Sequence, residues 1–117
     1  MTETEFRRIA LSLPGAIEKS HVGHPDFRLK GGKIFATLGY PNERFAVLIL
    51  SADQQGELTG RYPEMFEPVK GGWGKRGSTQ VILAAAKRDV IESAMKLAWN
   101  NAVPNKKRGA GSRQPSG

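Results

Sequence analysis

Between Ala16 and Ser51 the chain offers four segments of strand length, at about 16–21, 26–30, 33–39 and 44–50. They are separated by His24-Pro25, Gly31-Gly32 and Tyr40-Pro41-Asn42. These separators are turn chemistry: glycine accepts positive φ, proline pre-sets a turn and cannot donate to a ladder, and asparagine bonds to nearby backbone. Short segments joined this tightly pair with their neighbours, so the spacing predicts an antiparallel meander, with Gly31-Gly32 as its clearest hairpin. In the third segment Ile34, Ala36 and Leu38 alternate with Phe35 and Thr37. Both faces are then largely apolar, which predicts a central strand.

Helical patterns flank the meander. Thr2-x-x-Glu5 reads as a capping box, with Phe6, Ile9, Ala10 and Leu13 at helical spacing, and Leu13-Pro14-Gly15 ends the helix near Ser12. A short helix follows Ser51, capped by Ser51 or Asp53 and closing near Gly60. Tyr62 to Pro68 carries two prolines and reads as an irregular packed connection, and Thr79 to Ala84 as a fifth strand. Asp89-x-x-Glu92 is a second capping pattern, opening a helix to about Val103 with Ile91, Ala94, Met95, Ala98 and Ala102 on one stripe. The expectation is one α+β domain over residues 1–104, built on an antiparallel sheet of about five strands with N- and C-terminal helices. A basic tail, 105–117, lacks the apolar surface to fold and is expected to be disordered.

At 117 residues one core suffices without disulfides or a structural metal, and the chain has no cysteine to supply either a bridge or a thiolate ligand. The acidic start Met-Thr-Glu-Thr-Glu and the absence of a long apolar run lead to an expectation of a cytoplasmic protein without membrane partners. The net charge is +7, which makes polyanions the first partners to consider. Lys106, Lys107, Arg108 and Arg113 of the tail hold 4 of those charges, leaving residues 1–103 with 14 basic against 11 acidic residues, a balance of +3.

Gly72, Gly74 and Gly77 spell G-x-G-x-x-G, the pattern that cradles a pyrophosphate when a strand precedes it and a helix opens from it. Here a strand with β-branched Thr79, Val81 and Ile82 follows the loop instead, so the fingerprint has lost its chemistry. A Walker A loop fails as well, with Val69 where glycine is needed and Arg76 after Lys75. What remains is a flexible loop with Lys70, Lys75, Arg76 and Trp73: cations that can neutralise phosphates and an indole that can stack. In the alternative, the loop is a solvated connection and Trp73 folds back on the sheet as a lid. His21, His24 and Asp26 superficially have metal-ligand spacing, but on a turn between strands it does not gather them on one face. No serine sits in a nucleophile elbow, and no cofactor, metal or catalytic residue is expected. Lys106-Lys107-Arg108 reads as a phosphate-contacting arm or as a solubilising terminus.

Several of these stretches resemble the MmcQ/YjbR-like family: Leu11-Ser-Leu-Pro-Gly-Ala16, then His24-Pro-Asp-Phe-Arg28 running into Gly32-Lys-Ile-Phe-Ala-Thr-Leu38. Gly72-Trp-Gly-Lys-Arg-Gly77 and Leu97-Ala-Trp-Asn-Asn-Ala-Val-Pro104 continue the match in the same order. The resemblance implies a frataxin/CyaY-like α+β domain, with helices packed on one face of an antiparallel sheet, and a DNA-binding role in which loops flank a helical surface. Relatives commonly carry a tryptophan just before the last strand, where this chain has Gly77-Ser78. The acidic ridge that frataxin-like folds use for iron does not carry over, since the first helix sets Glu3 and Glu5 beside Arg7 and Arg8. The leading expectation is a small, non-enzymatic module that contacts DNA through backbone phosphates, using Lys70, Trp73, Lys75, Arg76, Arg28, Lys30, Lys106, Lys107 and Arg108. The alternative is a protein-interaction or regulatory module in which these charges are incidental.

Overall fold

The computed structural model describes residues 1–21 and 24–104. The first helix, α1, spans Glu3–Leu11 and opens on a complete capping box: Thr2 Oγ1 accepts from the Glu5 amide at 3.1 Å, and Glu5 Oε1 accepts from the Thr2 amide at 2.9 Å. Phe6, Ile9 and Ala10 form its buried stripe. Four strands follow, β1 (Ala16–His21), β2 (His24–Leu29), β3 (Ile34–Leu38) and β4 (Phe45–Ile49), then α2 (Ala52–Arg61). The chain continues through β5 (Phe66–Pro68), a single helical turn α3 (Gly72–Lys75), β6 (Ser78–Ile82) and α4 (Arg88–Ala102).

All six strands join one antiparallel sheet in the order β1-β2-β3-β4-β6-β5. The expected meander is present, with β3 and β4 at its centre. The sixth strand, β5, lies in the stretch expected to be irregular. Pro68 is tolerated there because β5 is an edge strand, where a missing N–H can face outward at no cost to the ladder. His24-Pro25, expected as a turn, belongs to β2 and lies opposite His21 and Ser20. The Asp89-x-x-Glu92 cap is also corrected. The cap of α4 is Lys87, which makes no side-chain capping bond, and Asp89 is already in the first turn, where it complements the helix dipole. Glu92 instead accepts from Arg88 at 3.3 Å.

Between β2 and β3 the register slips by one residue, since Phe27 pairs with Ala36 but Arg28 with Ile34. This bulge leaves Phe35 unpaired and lets Phe35 and Ala36 be buried together, although they are adjacent in sequence. The core combines Phe27, Phe35, Leu38, Leu48 and Val81 of the sheet with Phe6, Ile91, Met95 and Ala98 of α1 and α4. Full burial of each large side chain contributes about 1.5–3 kcal/mol. The indole N–H of Trp99 in α4 donates to the Pro14 carbonyl at 2.9 Å, which ties the last helix to the turn after the first. The alternating residues Ile17, Thr37, Phe45, Ile49, Gln80 and Ile82 lie on the opposite, half-buried face.

The registers also sort the connections by sheet end. Ala16, Leu29, Ile34, Ile49 and Ser78 all stand at one end, so the segments 12–15, 30–33, 50–53, 69–77 and 103–104 close that end together. Segments 39–44, 61–65 and 83–87 close the other.

Candidate nucleic-acid interface

The glycine-rich stretch is an excursion between the edge strand β5 and its neighbour β6. It is closed at its base by the Val69 amide donating to the Ser78 carbonyl at 3.0 Å. Within it α3 makes one turn, so the expected loop is partly helical. Two of the three motif glycines are there for packing. A Cβ at Gly74 would overlap the Val69 carbonyl oxygen, and one at Gly77 the Leu50 carbonyl oxygen, while Gly77 also needs its φ of +120°. A Cβ at Gly72 would meet nothing. The spacing that imitates a dinucleotide fingerprint thus records close backbone contacts to Val69 and Leu50.

Side chains fix the excursion from below. The Gln55 amide of α2 donates to the carbonyls of Gly74 at 2.8 Å and Ser78 at 2.9 Å, and the buried Thr79 hydroxyl donates to the Gly77 carbonyl at 2.7 Å. Sequence reasoning missed both residues. A glutamine on a polar helix face carries no signal of its distant partners, and Thr79 reads as an ordinary β-branched strand residue.

On this support Trp73 is 66% exposed, so it does not fold back as a lid. The Arg76 guanidinium carbon lies 5.6 Å from its ring centroid, a cation–π contact. Among the described residues no carboxylate lies within ion-pair distance of Lys70, Lys75 or Arg76. The structure therefore brings Lys70, Trp73, Lys75 and Arg76 together.

Lys30 stands at the same end of the sheet. The ladder places β2 three strand spacings from β6, about 14 Å away. Arg28 is not available in the same way. Its Nε and Nη2 donate to Asp26 Oδ1 and Oδ2, each at 3.0 Å, and Asp26 is only 2% exposed. This bidentate bond to the carboxylate holds the guanidinium proton more tightly than usual. Arg28 is thus a structural partner of Asp26 and is withdrawn from the set of phosphate contacts. Lys106, Lys107 and Arg108 lie outside the described residues, but they continue from Pro104, which shares a shallow recess with Gly31, Gly32 and Lys33.

Charge is divided unevenly between the two ends of the sheet. The segments closing the α3 end carry Lys30, Lys33, Lys70, Lys75 and Arg76 against Asp53, whereas those at the other end carry Arg44, Arg61 and Lys87 against Glu43 and Glu64. Among the described residues no three of His, Asp and Glu gather into a metal-binding group. His24 meets Tyr40 edge to face at 6.2 Å, and Asp26 is committed to Arg28. A groove of about 330 Å³ between α2 and α4 is lined by Glu57, Arg61, Tyr62, Asp89 and the partly exposed Leu97. No helix among the described residues is long and apolar enough to cross a membrane.

Fold and site together define a single-sheet α+β domain that presents a basic, tryptophan-tipped turn at one end. The YjbR family model matches residues 11–101, and the chain belongs to the YjbR family. Among solved structures, the crystal structure of Deinococcus radiodurans protein DR2400, a DUF419-domain protein, is similar with a TM-score of 0.68. It has 13% sequence identity, over 98% of this chain and 83% of that one. At that identity the likeness establishes the fold alone. No curated protein matches the chain.

Proposed function

We propose that this protein is a non-enzymatic nucleic-acid-binding module that grips the phosphate backbone with the α3 end of its sheet. The observation that carries the reading is the clustering of five cations against one acid in the segments that close this end. Lys70, Lys75 and Arg76 are the principal contacts, and Lys30 and Lys33 extend the surface across the sheet end. Lys106, Lys107 and Arg108 add to it from a chain that leaves at Pro104. Binding through phosphates is sequence-independent and works by counterion release. Lys75→Ala/Arg76→Ala should therefore lower the log–log salt slope of duplex DNA binding by about 2. Unchanged affinity and slope in that double variant would remove the reading.

The α2–α4 groove favours a second reading, a protein-interaction module. That reading requires capture of one dominant partner that survives nuclease treatment and is lost in Leu97→Asp.

A further inference from the structure

We infer that the strand this protein takes is single-stranded nucleic acid, with one unpaired base stacked on Trp73. The inference rests on the nucleic-acid reading above and adds which form is bound. Three observations carry it. First, the indole is 66% exposed although it sits on a turn held rigidly by Gln55, Thr79 and the backbone seating of Gly74 and Gly77. A large apolar ring kept in water on a fixed support is a ready stacking platform, because every base has a π-face and little ordering remains to be done on binding.

Second, Arg76 already lies over the ring, so a base stacked on the remaining exposed surface completes a layered arrangement while Lys70 and Lys75 meet the adjacent phosphates. Third, α3 is one turn long. It offers no helix or ribbon of the length that reads a duplex groove. A paired base is stacked on both sides and reaches Trp73 only after extrusion, which costs a few kcal/mol. An unpaired base is available without that cost.

The experiment compares three probes of equal phosphate number with the full chain: oligothymidylate, an abasic strand and a hairpin duplex. Affinity is followed by anisotropy of a labelled probe and by quenching of tryptophan emission. Oligothymidylate should bind on the order of tenfold more tightly than the abasic strand, with quenching, and Trp73→Ala should remove that advantage while leaving abasic and duplex affinities unchanged. Trp73→Phe should retain part of it. Equal affinity for all three probes, still weakened by Lys75→Ala/Arg76→Ala, would overturn the stacking inference and leave the backbone reading intact. Failure of every probe to bind would overturn both.

Discussion

Gly74 and Gly77 belong to the sequence motif most suggestive of a ligand, yet their lack of a side chain serves the protein's own backbone. Gly74→Ala and Gly77→Ala should each cost about 3 kcal/mol, because the added methyl meets carbonyl oxygens that cannot swing aside. Gly72→Ala should stay within about 0.5 kcal/mol, and urea unfolding of the three variants checks the contrast. Arg28 is similarly internal in its loyalty: Arg28→Ala leaves the Asp26 carboxylate buried without its partner. It should lower the unfolding temperature while leaving the salt slope of binding unchanged, the reverse of Lys75→Ala. Glu5 carries a pH dependence. Its bond from the Thr2 amide holds its pKa below the ordinary 4.5, so its charged form stabilises α1 above that value and the contribution is lost as pH falls through the lowered pKa. Glu5→Gln keeps a capping box without the titration, so the stability difference between wild type and this variant should shrink on acidification, as thermal melts would show.

At the scale of elements, α2 does more than cover the sheet edge. Ser51 and Gln54 complete its capping box, with Oγ of Ser51 accepting at 3.1 Å and Oε1 of Gln54 at 2.9 Å, and Gln54 also accepts from Asn101 of α4 at 2.7 Å. The next residue, Gln55, holds α3. Gln55→Ala removes the side-chain hydrogen bond to each of the Gly74 and Ser78 carbonyls, which keep only their backbone donors, the amides of Gly77 and Val69, and should cost about 1 kcal/mol. It should also speed amide hydrogen exchange in residues 70–77 and weaken nucleic-acid binding without changing a charge. Unaltered exchange there would show that α3 stands by itself. The elements differed in how legible they were beforehand. β3, α1 and the buried stripe of α4 follow from alternation, a capping box and helical spacing, all local signals. β5 was hidden because its pairing with β6 spans the α3 excursion and two prolines suggested irregularity. The start of α4 was misplaced because a carboxylate one residue inside a helix and one at its cap look alike in sequence. For the candidate site, the four residues of the turn were legible as a cluster. The withdrawal of Arg28 and the supports from Gln55 and Thr79 depend on contacts that local pattern does not encode.

Across the whole molecule, a twisted open sheet leaves two edges, and both are blunted. β5 is three residues long and ends in Pro68, and β1 places Glu18 and Lys19 along the other edge, so neither presents a long apolar template to another chain. On the proposed nucleic-acid reading the tail contributes at this scale too. Removing residues 105–117 should leave the melting temperature unchanged and lower the salt slope by about 2 to 3, if Lys106, Lys107 and Arg108 each meet a phosphate. An unchanged slope would reduce the tail to a solubilising terminus. The uneven division of charge along the strands has a kinetic corollary. A body with most of its excess positive charge at one end carries an electric dipole parallel to its strands, and the field of a polyanion turns such a body end-on before contact. On the proposed nucleic-acid reading, encounters are then pre-aligned, with the tryptophan-bearing turn leading, and association should be faster than the +3 balance of residues 1–103 alone would suggest.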